Sequence, residues 1–225
     1  SHGLRVLVIK GTSLNHHRLR ERTSHADVDV LVAPDDVEPF LKAMADKGMS
    51  TEKGIIGINM NVENEALNHR VQSFRDYIAA NAPKLQMTET YYNQNVVEKS
   101  QTNAENIISS YGAELIGMYS GNNITADGVA NAVRAANLKD NFVSVGVDSD
   151  DIEIQALRDG FLSAIVVQNA YDQGYKVMDN AVRTVVTGKN PESVQQINCP
   201  PVIVTLENID SEEIAFIMNP QLSGE

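Results

Sequence analysis

From Gly54 onward, apolar and polar positions follow two alternating periods, and each switch between them marks a strand or a helix. The run Ile55-Ile56-Gly57-Ile58 reads as a buried strand, and Leu67, Val71, Phe74 and Ile78 then share one helical stripe closed by Pro83. A strand around Leu85 to Tyr91 leads to a helix whose Ala104, Ile107, Ile108 and Tyr111 recur at i, i+3, i+4 and i+7 and which ends at Gly112. The third unit is Leu115 to Ser120, followed by a helix with Val129, Ala132, Val133 and Ala136 facing inward. Phe142 to Val147 and a short helix ending at Asp159-Gly160 make the fourth. The fifth strand, Ser163 to Val167, precedes a helix with Tyr171, Tyr175, Met178, Val182 and Val185 on its expected buried side and a stop at Gly188. Uninterrupted alternation of this kind predicts an α/β fold with a parallel sheet covered on both faces.

The first fifty residues break the rhythm. They offer a strand at Arg5 to Ile9, a polar stretch from His16 to Asp27, a strand at Val28 to Val32 and a helix carrying Phe40, Leu41 and Met44 that ends at Gly48. A βαβ unit takes roughly 30 residues, about twice what separates the first strand from the second. The tail carries one strand, Val202 to Leu206, set off by Pro200-Pro201.

Composition narrows the function. A chain of 225 residues holds one good core or two modest ones, since domains run about 100 to 150 residues. The formal charge of −12 argues against a nucleic-acid or anionic-membrane partner, which would need a basic patch. Cys199, the single cysteine, allows no intramolecular disulfide and leaves the compartment open. No apolar run approaches the roughly 20 residues of a membrane span, and Ser1-His2-Gly3 reads as a tag remnant, so a signal peptide is expected to have been removed or never present. Neither G-x-S-x-G nor G-x-x-x-x-G-K occurs, and no G-x-G-x-x-G follows a strand, so no enzyme and no cofactor are expected. His16-His17, with His2, His25 or His69, lacks any metal-ligand spacing.

Candidate chemistry lies where strands end. Asn122, Asp148 and Gln168 each follow a predicted strand, and ligands of open α/β sheets settle outside the carboxyl ends of strands. A polyhydroxylated ring needs donors and acceptors rather than one strong charge: Asp148 would accept from two hydroxyls, while Asn122 and Gln168 would do both. Each has a local alternative. Asp148 or Asn122 suits a helix N-cap, and Arg70 suits an exposed pair with Glu63 or Glu65. Tyr171 and Tyr175 fit core packing, leaving Tyr119, just before a strand mouth, as the tyrosine better placed to touch a ligand.

The run Val145-Gly146-Val147-Asp148-Ser149, then Ile154-Gln155-Ala156-Leu157-Arg158-Asp159-Gly160, then Val167-Gln168-Asn169-Ala170-Tyr171 with Gly174-Tyr175, resembles the type I solute-binding proteins of ABC importers, in the ribose and galactose cluster. Arg70-Val71-Gln72-Ser73-Phe74 and Gly121-Asn122 before an alanine-rich helix with Gly128 extend the likeness over Gly54 to Gly188. The resemblance implies two Rossmann-like lobes with parallel sheets, joined by three hinge crossings around a ligand cleft. Residues 1–52 with 169–196 would form an incomplete amino-terminal lobe, and residues 53–168 with 197–225 the carboxy-terminal one. It implies sugar contacts at Asn122, Asp148 and Gln168, with Arg70 reaching the ligand in some members and Asn68 standing where ribose binders carry a second arginine. Asn15 falls in the polar loop after the first strand. No tryptophan is present, and His16-His17 follow where an aromatic pair would stack on the sugar. Family strand and helix units between the first strand and Val28, and between Gly48 and Gly54, are missing, so the sequence predicts junctions near Asn15 to Ala26 and near Met49 to Gly54. The implied role is a monomeric extracytoplasmic receptor, periplasmic or a Gram-positive surface lipoprotein, that delivers a sugar or polyol to an ABC permease. A ligand-sensing module of the same fold, from a receptor kinase or a lac-repressor-like regulator, is the alternative, although no helix-turn-helix precedes Leu4.

Overall fold

The computed structural model describes residues 38–187 and 199–219. Their centre is a six-stranded sheet made of β1 (Ile55–Met60), β2 (Gln86–Tyr92), β3 (Leu115–Ser120), β4 (Val143–Val147), β5 (Ala164–Val167) and β6 (Val202–Val204). The order is β2-β1-β3-β4-β5-β6, and the first five strands are parallel. The expected all-parallel sheet is corrected at one edge, where β6 runs antiparallel to β5 with Val166 opposite Ile203.

Helices cover both faces. On one side α1 (Glu38–Asp46) and α2 (Glu65–Asn81) bury Phe40, Met44, Phe74 and Ile78 against Ile56, Ile58, Val145 and Val166. On the other side α3 (Val97–Tyr111) and α4 (Asn123–Ala135) enclose Ile107, Met118, Val129 and Val133. Beyond them, α5 (Asp151–Arg158) and α7 (Glu212–Met218) pack Leu157, Ile214 and Ile217 on Ile165 and Val167. Successive residues of β5 thus serve opposite cores, as the two-residue repeat of a strand requires. Burial of both faces explains why the strands read as continuous apolar runs rather than alternating ones.

Phe40 meets Phe74 edge-on at 5.4 Å, and α1 packs in one core with residues of β1, β4 and β5. From α1 the chain turns at Gly48, at a φ of 64°, and leads through residues 49–54 into β1; the junction expected near Asn15 to Ala26 lies outside the described residues. Helix α6 (Ala170–Thr187) was expected to bury its apolar stripe, yet none of its residues is buried. Tyr175 and Met178 are each 62% exposed, and the ring contact of α6 with α7 is that of Tyr171 on Phe216 at 5.1 Å.

Close approach of α3 and α4 depends on Gly128. A Cβ there would stand 2.4 Å from Ser100 Cβ and 2.6 Å from the backbone nitrogen of Gln101. Its absence lets the Ser100 hydroxyl reach the Thr125 carbonyl at 2.8 Å.

Candidate functional site

The carboxyl ends of β3, β4 and β5 are neighbours in the sheet, and Asn122, Asp148 and Gln168 each lie just past one of them. Asn122, Asp148 and Gln168 are all half-buried. Gln168 Nε2 donates to Asp148 Oδ1 at 2.6 Å, and the backbone N–H of Asn123 donates to Asp148 Oδ2 at 3.3 Å. Both carboxylate oxygens are thereby fixed before any ligand arrives. Asp148 holds a φ of 94°, a region that costs a non-glycine residue free energy, and its N–H is tied to Val166 O at 2.9 Å. Strain of this kind persists only where surrounding structure imposes it.

The capping alternative divides between the candidates. Asn122 does cap α4, its Oδ1 accepting from the Thr125 N–H, and this leaves its Nδ2 outside the helix. Asp148 does not cap α5. Asp150 takes that role in a capping box with Glu153, its Oδ1 accepting from the N–H groups of Ile152 and Glu153.

Arg70 is 9% exposed, and its Nη1 donates to Gly121 O at 2.8 Å, which braces the loop that carries Asn122. Asn68 is exposed and lines an open depression with Asn64, His69 and Gln72. Tyr119 corrects the sequence reading. It is 2% exposed and stacks on Phe74 at 4.3 Å, facing the α2 core rather than the strand mouth. Asn15 lies outside the described residues.

Sequence reasoning missed an acidic group behind the rim. Glu153 is wholly buried with Oε1 unpartnered, and Asp127 is 4% exposed with Oδ1 unpartnered. Burial first, then the charges of Asp150 and Asp148, push the Glu153 carboxyl up to about 9, while burial and Asp150 push Asp127 up to about 7. Glu153 is therefore protonated at neutral pH. The Asp150-x-x-Glu153 spacing was a readable capping-box signal, and Asp127 stood out as an acid on an otherwise small and apolar helix face. Among the described residues no group of three or more His, Cys, Asp or Glu could hold a metal ion, and no helix is long and apolar enough to cross a membrane.

This arrangement of sheet, strand mouths and rim has counterparts. Residues 43–190 match the model of the periplasmic binding protein domain, about two thirds of the chain. The chain belongs to the periplasmic binding protein family. The family inferred from the Val145–Ser149 and Val167–Tyr171 segments is thus the family found. Among solved structures, this family member is similar to a carbohydrate transporter solute-binding protein of Agrobacterium radiobacter in complex with D-arabinose, with a TM-score of 0.72 and 24% identity over 83% of this chain and 62% of that one. It is similar also to an ABC transporter solute-binding protein of Agrobacterium vitis with bound D-fucose, at 27% identity and a TM-score of 0.66 over 84% of this chain and 64% of that one. A periplasmic ribose ABC transporter protein of Conexibacter woesei matches at 20% identity and a TM-score of 0.66 over 84% and 63% of the two chains. The chain spans less than two thirds of the length of these relatives. Comparison with curated protein sequences gives no match.

Proposed function

We propose that this chain is an extracytoplasmic solute receptor that binds a sugar or sugar-like polyol and hands it to an ABC permease, without performing chemistry on it. The observation that carries the reading is the fixed, half-buried rim in which Asn122, Asp148 and Gln168 converge from three adjacent strand ends. A hydroxyl both donates and accepts, and this rim answers it with an ionisable acceptor and two amides. The D-arabinose and D-fucose bound by the two Agrobacterium relatives support the same ligand class. Residues of the amino-terminal and post-β5 segments would supply the opposing half of the cleft. A ligand bridging both halves then favours closure to the extent that its contacts there exceed those in the open form.

A thermal-shift panel of pentoses, hexoses, inositols and nucleosides tests the proposal, because a ligand that binds only the folded state raises the melting temperature by mass action. Selective stabilisation by a sugar or polyol is expected. A chain stabilised only by nucleosides, or by none of the panel, would contradict it.

A further inference from the structure

The orientation of the Asn122 side chain is set by a run of hydrogen bonds that begins at the far edge of the sheet. A backbone N–H only donates. The Asn95 N–H donates to Asn93 Oδ1 at 2.9 Å, so the oxygen of the Asn93 amide is assigned to that side and its Nδ2 faces Thr125 Oγ1, 2.8 Å away. A hydroxyl carries one proton. Because Thr125 Oγ1 accepts from Asn93, its own proton goes to Asn122 Oδ1 at 2.5 Å. At the far end, the Thr125 N–H also donates to Asn122 Oδ1, at 3.3 Å, and an Asn122 amide turned the other way would place two donors against each other.

The relay is shielded and braced. Asn93 and Thr125 are wholly buried, as are Asn59 and Ser100. Asn59 Nδ2 donates to Ser100 O at 2.9 Å and to its Oγ at 3.0 Å, and Ser100 Oγ donates to Thr125 O. The first turn of α4 is thus tied to β1 and α3 as well as to the end of β2.

A specific pattern results at the rim. The Asn122 oxygen is spent inside the protein, so only its Nδ2 remains for a ligand. Gln168 is the reverse: its Nε2 faces the Asp148 carboxylate at 2.6 Å, so its Oε1 is left to accept. Resting on the sugar-receptor reading above, we propose that Asn93 and Thr125 are positioning residues that present Asn122 to the ligand solely as an N–H donor. The ligand must therefore place a lone pair, from a hydroxyl or a ring oxygen, at Asn122, and hydroxyl donors at Asp148 and Gln168.

The test uses the full chain labelled with nitrogen-15, compared with Thr125→Val, which removes the hydroxyl at nearly constant shape, and Thr125→Ser, which keeps it. In ligand-free wild type and Thr125→Ser, the Asn122 side-chain amide should exchange protons with water and give one set of signals, while the Asn93 amide stays protected. In Thr125→Val the Asn122 signals should shift or double as the amide loses its fixed orientation. A protected Asn122 amide in the wild type, or Asn122 signals unchanged in Thr125→Val, would overturn the proposal. Calorimetry with D-arabinose and D-fucose adds a second reading: an affinity loss of about tenfold or more in Thr125→Val against less than about threefold in Thr125→Ser is expected from one lost charge-free positioning bond. Equal affinity of Thr125→Val and wild type would also overturn it. If the wild type binds neither sugar, the sugar reading is what suffers, and the amide spectra still decide the orientation.

Discussion

Gln168 donates from Nε2 to Asp148 Oδ1 across 2.6 Å, joining the ends of two adjacent parallel strands at the rim of the site. The bond needs an N–H donor on one side and a carboxyl oxygen on the other. Gln168→Glu would set two carboxylates at that distance, and two such groups share one proton rather than both ionise. Sugar affinity should fall about tenfold at pH 8 and recover in part near pH 5. Calorimetry at the two pH values checks this, and a loss independent of pH would contradict it.

Stability should fall as pH rises. Glu153 and Asp127 have folded-state pKa values raised to about 9 and about 7, above their unfolded values, so the folded chain holds protons that the unfolded chain releases. Their contribution is fully present below about pH 4 and is lost as pH climbs through 7 and then 9. One pKa unit corresponds to about 1.4 kcal/mol, so even half of the Glu153 shift is worth roughly 3 kcal/mol. Urea unfolding between pH 5 and pH 9 should show the decline, and Glu153→Gln should flatten its upper part. A Glu153→Gln curve as steep as wild type would count against a buried protonated Glu153.

Gly128→Ala should cost about 1 to 3 kcal/mol, because the new methyl meets Ser100 and the backbone at Gln101 where neither can retreat. Gly174→Ala is the control, with open space around it on α6, and should be neutral or stabilising by up to about 1 kcal/mol. Thermal midpoints of the two variants separate packing from propensity.

Phe40→Ala should destabilise the sheet core by about 3 to 5 kcal/mol, since Phe40 is wholly buried against Phe74. A near-neutral result by denaturant unfolding would mean that α1 is not part of this core.

The residues that sequence alone could place were those governed by local rules. Strand β3 was read as Leu115 to Ser120 and folds as that span, because a buried parallel strand is an apolar run between turn residues. Gly112 ends α3 at a φ of 50°, a positive value that a residue without a Cβ adopts at little cost. The placement of Asn122, Asp148 and Gln168 just after three adjacent strands was legible because each strand ends in a polar residue there. Tyr119 was not, since both faces of β3 are buried and no polar alternation reveals which way a side chain points. Helix α7 escaped notice because it has seven residues and only two buried apolar positions, Ile214 and Ile217. The Asn93-Thr125 relay joins residues 32 apart that only the crossover of α3 brings together.

Asp148→Ala, titrated with the sugar that most stabilises the wild type in thermal shift, is the most direct measurement of the central claim. Removing a half-buried acceptor should weaken binding by about 1 to 3 kcal/mol, while the melting temperature should not rise, because alanine keeps the Cβ that strains the φ of 94° at this position. Affinity equal to the wild type by calorimetry would place the ligand elsewhere and contradict the account.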